Sequence, residues 1–518
     1  MPSPTEPLRS VIVDRRIDPR SPVVVGVGQS AQRLPADVAL PPIELLEAAA
    51  LAAEGDTGAR RSILSRVDLI AVVQITSWRY PDPAAFLARR LGIEPRRTCV
   101  SAVGGNSPQL LVNEMADLIA GGKADVVLLG GAESMHTRWR ARREPRVNLE
   151  WDSGDDAACS WIIGDERQGV TDYEMAHAAL APTQVYPLFE TALRRSCNRG
   201  VAEHQRVVSE LWETFAAVAA DNSHAWSRSA FSAEEIRTVT PDNRMVCFPY
   251  PKRMCANIDV DQGAALLLCS YETARAAGVP DERMVFLHSG ADGHDHFFIT
   301  QRDSLADSPA IAATSDHALS AAGIGVDDIA HFDLYSCFPS AVQIAMRAMG
   351  LRGPAGGDLR PLTVTGGLGF AGGPVNNYTT HAIASMVSAL RSDPGSFGLT
   401  TALGWFVTKH SAGVWSTTPP AAGYKRVPES HTQSRIDELP SRDPAGLVDG
   451  KITIEATSVL AERDGSLSMA IIAGLTGDGR RALANTRDGA VLQSLTEEPW
   501  EGRRVRVTNN GETNTLAT

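Results

Sequence analysis

Short apolar runs alternate with longer stretches of helical spacing along most of the chain. SPVVVGVGQS at 21–30, VDLIAVVQI at 67–75 and ADVVLLGGAESM at 124–135 have the pattern of buried strands. Between them, PIELLEAAALAAEG at 42–55 has the pattern of a helix. Short buried strands that alternate with helices predict a mainly parallel α/β sheet covered on both faces.

This alternation stops and later returns, which predicts an insertion at about 140–250. Within that stretch, HQRVVSELWETFAAVAADN at 204–222 has helical spacing, and much of the rest is typical of loops. The strand-and-helix pattern resumes at 261–278. We therefore expect a duplicated core with an N-terminal half at 21–280, which carries the insertion, and a C-terminal half at 281–418.

The two ends of the chain follow other patterns. Residues 1–20 are rich in proline and charge, which predicts a disordered tail, and TTPPAAGYKRVP at 417–428 has the composition of a linker. After the linker, β-rich segments are separated by glycine and aspartate turns. This spacing predicts a small antiparallel barrel of OB type at 434–510.

Composition and charge narrow the class of protein. The 518 residues carry a formal charge of -12, which disfavours nucleic acid or an anionic membrane as a partner. The seven cysteines form no CxxC pair and no zinc-ligand spacing, so no metal site is expected. Their odd number and dispersion favour free thiols in a reducing cytoplasm. No apolar run approaches the roughly 18 residues of a membrane helix.

Three ordered segments resemble motifs of the thiolase superfamily, especially of its sterol-carrier-type branch. They are ADVVLLGGAESM at 124–135, NIDVDQGAALLLCSYETARAAG at 257–278 and VTGGLGFAGGPVNN at 364–377. The chain is similar in this respect to actinobacterial thiolase-like proteins described as acetyl-CoA acetyltransferases. The resemblance implies two α/β halves in five-layered α-β-α-β-α packing. It also implies a site for coenzyme A as part of a substrate, with no covalently bound cofactor.

The resemblance places Gly105 where thiolases carry a nucleophilic cysteine at the start of a helix. Ser107 and Pro108 favour a helix start here, so the helix is predicted although the thiol is missing. The backbone N–H groups of Gly105, Asn106 and Ser107 are candidates to bind a carbonyl oxygen or an anion. The alternative is an ordinary capped helix. Cys99, six residues upstream, is the other candidate nucleophile.

The segment YSCF stands where sterol-carrier-type thiolases have a catalytic histidine motif. Tyr335 replaces the histidine, and its hydroxyl can still donate a hydrogen bond to a substrate. Cys337 and Phe338 are retained and are candidate pocket residues. The alternative is a packed strand end with an aromatic side chain.

The glycine-rich loop lacks the activating histidine of the family, because Gly373 and Pro374 occupy the His-Pro position. His381, on the helix expected to follow, is a candidate acid or base. Loop glycines let a backbone approach a ligand closely. The glycines concerned are Gly366, Gly367, Gly369, Gly372 and Gly373.

The last core segment, LGWFVTKHSAGVWS at 403–416, has no cysteine where the family has its second catalytic thiol. Lys409 and His410 precede a small-residue pair instead. A histidine can titrate near neutral pH, and the adjacent lysine would lower its pKa. We therefore take His410 as the main acid or base candidate.

These substitutions predict a thiolase-like protein of lipid or sterol metabolism that binds CoA or acyl-CoA without the cysteine and histidine set. Acetyl transfer through an acyl-cysteine is not expected. The first alternative is a lyase that cleaves a β-hydroxyacyl-CoA by retro-aldol chemistry, with Tyr335 and either His410 or His381. The resemblance supports it, since aldolases of this type carry a tyrosine here and work with an OB-like partner. The second alternative is a non-enzymatic scaffold or acyl-CoA carrier.

The sequence does not decide between two kinds of assembly. Both a homodimer through the core and a partner protein bound by the barrel are compatible with the sequence. Arginine side chains in the insertion are candidates to meet the phosphates of CoA. They are Arg138, Arg140, Arg142, Arg143 and Arg146.

Overall fold

A computed structural model describes residues 17–144, 146–155, 157–353 and 356–517. Most of the predicted tail therefore lies outside the described residues. The strands are β1 (Pro22–Ala31), β2 (Leu69–Val72), β3 (Arg97–Ser101), β4 (Val126–Ser134), β5 (Ile162–Ile163), β6 (Met245–Phe248), β7 (Tyr250–Pro251), β8 (Asp261–Ser270), β9 (Val285–His294), β10 (Ile329–Asp333), β11 (Phe397–Gly404), β12 (Lys409–Ser416), β13 (Lys425–Val427), β14 (Gly450–Ala461), β15 (Leu467–Leu475), β16 (Arg481–Thr486), β17 (Arg504–Asn509) and β18 (Asn514–Leu516). The α-helices are α1 (Pro42–Asp56), α2 (Pro83–Leu91), α3 (Ser107–Ala120), α4 (Met135–Arg143), α5 (Asp172–Ala176), α6 (Pro182–Ser196), α7 (Val201–Asp221), α8 (Ala233–Arg237), α9 (Tyr271–Ala277), α10 (Pro309–Ala322), α11 (Pro339–Met349), α12 (Gly367–Phe370), α13 (Tyr378–Ser392), α14 (Glu429–Asp437) and α15 (Gly489–Glu497).

The core strands run in the order β10-β11-β12-β9-β1-β8-β4-β2-β3-β5, with β13 paired to β9. The two halves meet where β1 pairs with β9, at Val23 and Phe286. The sheet is mixed rather than mainly parallel, because β8 runs antiparallel to β1 and β4, and β12 antiparallel to β9 and β11. A strand buried on both faces reads as a continuous apolar run in either direction, so its sequence does not reveal its direction.

Helices on three levels give the core its layers. Helix α1 packs on β1 and β8 of the first half, and α10 packs on β9 and β12 of the second. Helices α3 and α13 contact strands of both halves and therefore lie between them. Both central helices bury most of their residues, polar ones included. This arrangement confirms the predicted duplicated α/β core in five α-β-α-β-α layers.

The predicted small barrel is present in the C-terminal region, although its strands start at Gly450 rather than 434 and β16 and β18 pair in parallel. Its five strands follow the cycle β14-β15-β16-β18-β17 and return to β14. They lie between Gly450 and Leu516, and α14 precedes them. Strand β6 of the insertion extends the same sheet by pairing with β14, at Phe248 and Val459. Within the linker-like segment, β13 pairs in parallel with β9, so this stretch is part of the core sheet.

Buried ion pairs and hydrogen bonds tie the barrel to the insertion and the core. Arg194 of α6 pairs with Glu501 of the barrel at 2.6 Å, and both side chains are almost fully buried. Arg481 of β16 pairs with Glu455 and donates to the carbonyl oxygen of Ile299 at 3.0 Å. The barrel is thus packed into the molecule along its insertion-facing side.

Metal ions and membranes are two partners on which the described residues bear. Among them, no group of three or more His, Cys, Asp or Glu side chains is arranged to hold a metal ion. In the same ranges, no helix combines the length and the apolar character needed to cross a membrane.

Candidate functional site

The start of helix α3 lies buried at the centre of the core. The helix begins at Ser107, whose hydroxyl donates to the carbonyl oxygen of Ala102 at 2.8 Å rather than capping the helix. The N–H of Ser107 donates to the carbonyl oxygen of Gly104 at 3.0 Å. Of the three predicted N–H donors, that of Ser107 is therefore used inside the protein.

The hydroxyl of Tyr335 occupies the space beside Gly105. A Cβ atom placed on Gly105 would lie 2.1 Å from Tyr335 Oη and 2.4 Å from the carbonyl oxygen of Leu403. Tyr335 is fixed there by its N–H, which donates to Thr401 Oγ1 at 2.9 Å, and by an edge-to-face contact with Tyr378. Burial raises the pKa of Tyr335 far above its ordinary value, so the hydroxyl stays protonated. No side chain fits at position 105 while Tyr335 holds this place.

A small cavity separates Tyr335 from His410. Its volume is ≈ 10 Å³, about the space that one water molecule needs. His410 Nε2 lies 3.1 Å from Asp295 Oδ2, and both side chains are buried. Burial by itself would raise the pKa of Asp295, but the hydrogen bond and charge of His410 bring it below its ordinary value. The ionised Asp295 therefore orients His410 toward the cavity.

A larger pocket of ≈ 330 Å³ lies on the other side of His410 and is lined by polar groups. Lys409 faces it and donates to the carbonyl oxygens of Val103 at 2.7 Å and Asp165 at 2.9 Å. Burial lowers the pKa of Lys409 to about 8, against the opposing effect of Asp165. Asn106 also lines the pocket, and its Oδ1 is buried with no hydrogen-bond partner among the described residues. The Oδ1 of Asn106 lies against Gly104 and Gly404 rather than in the open pocket, so Lys409 is the donor that the pocket offers.

Protein atoms pack closely around three glycines of the glycine-rich loop. A Cβ on Gly366 would lie 2.4 Å from the Cβ of Ala219 in α7, and one on Gly367 would lie 2.7 Å from Phe215. A Cβ on Gly372 would lie 2.1 Å from Gln262 Oε1. The insertion helix α7 therefore packs directly on this loop, and Gly366 and Gly367 permit that packing because they have no side chain.

Hydrogen bonds hold the residues on both sides of the glycine-rich loop. The N–H of Gly373 donates to the carbonyl oxygen of Asn257 at 2.8 Å, immediately before Pro374. Asp333 accepts hydrogen bonds from Thr363 and Tyr378, each at 2.9 Å. Burial raises the pKa of Asp333 to about 6 although these hydrogen bonds lower it.

Cys337 and Phe338 lie where the core packs against the insertion. Phe338 stacks on Tyr186 of α6 with ring centres 4.5 Å apart, and the Tyr186 hydroxyl donates to the carbonyl oxygen of Trp405 at 2.9 Å. Burial raises the pKa of the Cys337 thiol to about 12, and burial likewise raises that of Cys99 to about 12. Neither thiol is therefore ionised near neutral pH, as a nucleophile would need.

His381 lies apart from the pair formed by Tyr335 and His410. Its Nδ1 is 2.7 Å from Gln29 Oε1 on β1. Burial and the neighbouring His224 lower the pKa of His381 to about 3, so the ring is neutral at physiological pH. Of the three candidate acid or base residues, the structure brings together Tyr335 and His410.

Comparison with known proteins identifies the family. Residues 431–512 match the family described as the thiolase-like protein type 1 additional C-terminal domain. The crystal structure of a monomeric SCP2-thiolase-like protein type 1 from Mycobacterium smegmatis is 34% identical in sequence, with a TM-score of 0.82. The match covers 97% of this chain and 99% of that one.

The chain belongs to the type 1 SCP2-thiolase-like proteins. Two more distant solved structures share the fold. The Ltp2-ChsH2(DUF35) aldolase is 20% identical with a TM-score of 0.58, and the match covers 77% of this chain and 98% of that one. The dimeric peroxisomal thiolase of Saccharomyces cerevisiae is 14% identical with a TM-score of 0.54, and covers 77% and 98%. No curated protein sequence matches the chain. The predicted membership of the thiolase superfamily, with an additional C-terminal domain, is confirmed.

In this SCP2-thiolase-like protein the predicted arginines are spread over α4 and the segment that follows it. Arg138 donates to the carbonyl oxygen of Thr76 at 3.1 Å, and Arg140 pairs with Glu144 at 3.6 Å. The remaining three side chains are exposed to solvent, namely Arg142, Arg143 and Arg146.

Asp295 is the site residue that sequence reasoning missed. It follows β9, whose last residue, His294, pairs with Lys409 at the start of β12. This pairing brings Asp295 beside His410. The available signal was the segment ADGHDH, an unusual concentration of polar residues at the end of an apolar run.

Proposed function

We propose that this protein binds a CoA thioester with its reacting end in the pocket beside His410, and that it performs no acyl transfer through cysteine. The contact between Tyr335 Oη and Gly105 carries the exclusion of acyl transfer, because it leaves no space for a nucleophile at that position. The thiols of Cys337 and Cys99 do not replace it, since burial raises the pKa of both. A role in lipid or sterol metabolism belongs to the same proposal.

The pocket of ≈ 330 Å³ supports binding of the reacting end of a thioester. Its size is within the range of about 300–1,000 Å³ that is typical of small-molecule sites. The Lys409 ammonium keeps one N–H beyond its two bonds to backbone carbonyls, and this donor can fix the orientation of a ligand carbonyl group. A reducing compartment such as the cytoplasm suits the proposal, since all seven cysteines are unpaired.

Calorimetric titration tests this proposal. CoA, acetyl-CoA, a long-chain acyl-CoA and a sterol side-chain thioester are titrated into the full chain, and we expect micromolar binding that depends on the acyl group. Lys409→Met should weaken binding, because it removes the ammonium donor of the pocket, while Asn148→Ala in an exposed loop should not. Absence of binding by all four ligands would exclude the proposal. Release of acetyl-CoA from acetoacetyl-CoA and CoA through a trapped acyl-cysteine would exclude its second half.

Retro-aldol cleavage is the second candidate function, and the shared cavity of Tyr335 and His410 favours it. One group would take the proton of a β-hydroxyl while the bond between Cα and Cβ breaks, and the other would return a proton to Cα. The fold shared with the Ltp2-ChsH2(DUF35) aldolase adds support. The cavity has space for about one water molecule in this conformation, so cleavage would require it to widen.

Turnover of a β-hydroxyacyl-CoA, measured as release of the aldehyde or ketone, separates the two candidates. If the lyase proposal is correct, Tyr335→Phe removes turnover and leaves thioester binding intact. Asp295→Asn should lower the rate as well, because it weakens the orientation of His410. Binding without turnover in the unaltered protein would instead support a carrier or scaffold.

A further inference from the structure

A second pocket of ≈ 400 Å³ lies among α6, α7 and α11. It shares no lining residue with the pocket beside His410. Its interior is formed by apolar side chains from the three helices and the segment after α11. These side chains are Leu193, Val207, Leu211, Met346 and Leu351. The site is therefore a separate, mainly apolar cavity of ligand size.

Three guanidinium groups line the same pocket, from Arg199, Arg347 and Arg352. Arg347 pairs with Asp307 at 2.7 Å. In the parts of the chain that the structure describes, Arg199 and Arg352 form no ion pair, although the charge of Arg352 contributes to lowering the pKa of Asp358.

One acidic residue, Glu210, also lines the pocket. It is paired with Arg206 at 2.7 Å, so its charge is already compensated. The lining thus combines an apolar interior with two cationic groups that are free to meet an anion.

We propose that this pocket binds a fatty acid anion, with the alkyl chain among the helices and the carboxylate at Arg199 and Arg352. The planar guanidinium group matches a carboxylate with two parallel hydrogen bonds, which a neutral head group does not reproduce. An alkyl chain gains by leaving water for the apolar interior. The two features select together for a long-chain carboxylate.

The same chemistry has two sources, a free fatty acid and the acyl chain of a CoA thioester. In the thioester the carboxylate is esterified, so the chain would enter without an anionic head. A free carboxylate is the better match, since it alone presents its charge at the end of the chain.

Titration of the full chain with octanoate, decanoate and dodecanoate, each below its micelle concentration, tests the apolar part. Affinity should rise about fourfold for each further CH₂ group that is buried. Dodecanol has the same chain without the charge and should bind about tenfold more weakly than dodecanoate, or worse. Equal binding of dodecanoate and dodecanol would contradict the role of the arginines.

Variants locate the binding. The double variant R199Q/R352Q should weaken dodecanoate about tenfold or more and leave dodecanol unchanged. R463Q, at an exposed turn of the barrel, is the matched control and should bind like the unaltered protein. Unchanged dodecanoate affinity in the double variant would overturn the proposal.

L211W is the second variant, because its indole would fill the cavity. It should abolish dodecanoate binding, and saturation of the unaltered protein with CoA should leave dodecanoate binding intact. Full dodecanoate binding by L211W, or binding of dodecanoyl-CoA alone, would place the chain elsewhere and overturn the proposal. Circular dichroism of each variant confirms that it is folded.

Discussion

The hydroxyl of Tyr335 lies where a side chain on residue 105 would begin, 2.1 Å from the ideal Cβ position. Restoring a cysteine at this position therefore does not restore a nucleophile. Gly105→Cys should lower the free energy of unfolding by about 1–3 kcal/mol, since protein interiors tolerate added atoms poorly. Urea denaturation measures the change.

The control for this prediction is Gly55→Ala in α1, where an added Cβ meets nothing within 4 Å. That substitution should leave the protein as stable or raise its stability by up to about 1 kcal/mol, as alanine favours a helix. Combining Gly105→Cys with Tyr335→Phe should recover part of the loss. A Gly105→Cys protein as stable as the unaltered one would show that Tyr335 moves aside at no cost.

His381 provides a prediction for pH dependence. Burial, with a contribution from His224, lowers its pKa from 6.5 to about 3 in the folded state. Below pH 6.5, His381 binds a proton in the unfolded chain but stays neutral in the folded protein. The free energy of unfolding therefore decreases as the pH falls from 6.5 toward 3. At pH 5 the loss is about 2 kcal/mol relative to pH 7.

Unfolding free energies of His381→Gln at pH 7 and pH 5 check this assignment. The variant should lose less stability between these two values than the unaltered protein does. His331→Gln is the control, because His331 is partly exposed and pairs with Asp393 at the surface. An identical pH dependence in His381→Gln and the unaltered protein would refute the argument.

At the scale of elements, helix α7 closes the glycine-rich loop. Gly366→Ala would introduce a Cβ only 2.4 Å from that of Ala219, at a φ of +97°. In Gly350→Ala, at a φ of +70°, the added Cβ meets nothing within 4 Å. This variant should lose only the about 1–2 kcal/mol of stability that a left-handed backbone costs a residue with a side chain. Gly366→Ala should therefore be less stable than Gly350→Ala by about 1–3 kcal/mol in urea denaturation. Equal stability of the two would mean that α7 is not held against the loop.

The same elements show what sequence patterns can and cannot predict. The apolar runs predicted the strands and helices of both halves, and motif spacing placed Gly105 immediately before the first residues of α3, as observed. The contact of Gly105 with Tyr335 joins residues far apart in the chain, and no local pattern carries such a contact. The same holds for Asp295 beside His410, which depends on the pairing of β9 with β12. The direction of each strand could not be predicted either, because apolar runs look alike in both directions.

At the scale of the whole molecule, the barrel and the core should unfold together. Arg194 of the insertion and Glu501 of the barrel form a buried ion pair, and Arg481 of the barrel donates to the carbonyl oxygen of Ile299 in the core. Arg194→Met leaves Glu501 buried without its partner and should cost about 3–5 kcal/mol. Arg206→Met, which breaks an exposed pair with Glu210, should cost about 0–1 kcal/mol of unfolding free energy.

Calorimetry of the unaltered protein should give one unfolding transition. Two separate transitions would show that the barrel is an independent unit.

The edge of the core sheet at β3 is partly covered by a segment of the same chain. In this chain β5 pairs in parallel with β3, with Ile162 beside Val100 and Ile163 beside Ser101. The guanidinium of Arg97 stacks over Trp161 at 3.9 Å and holds the covering segment in place. This pairing leaves fewer free backbone groups on the edge with which a second copy could pair. We therefore expect a monomer, as in the Mycobacterium smegmatis relative, and light scattering over a dilution series should give the mass of one chain, about 55.3 kDa. A stable dimer whose amide exchange is protected along β3 would show that the edge is open in solution.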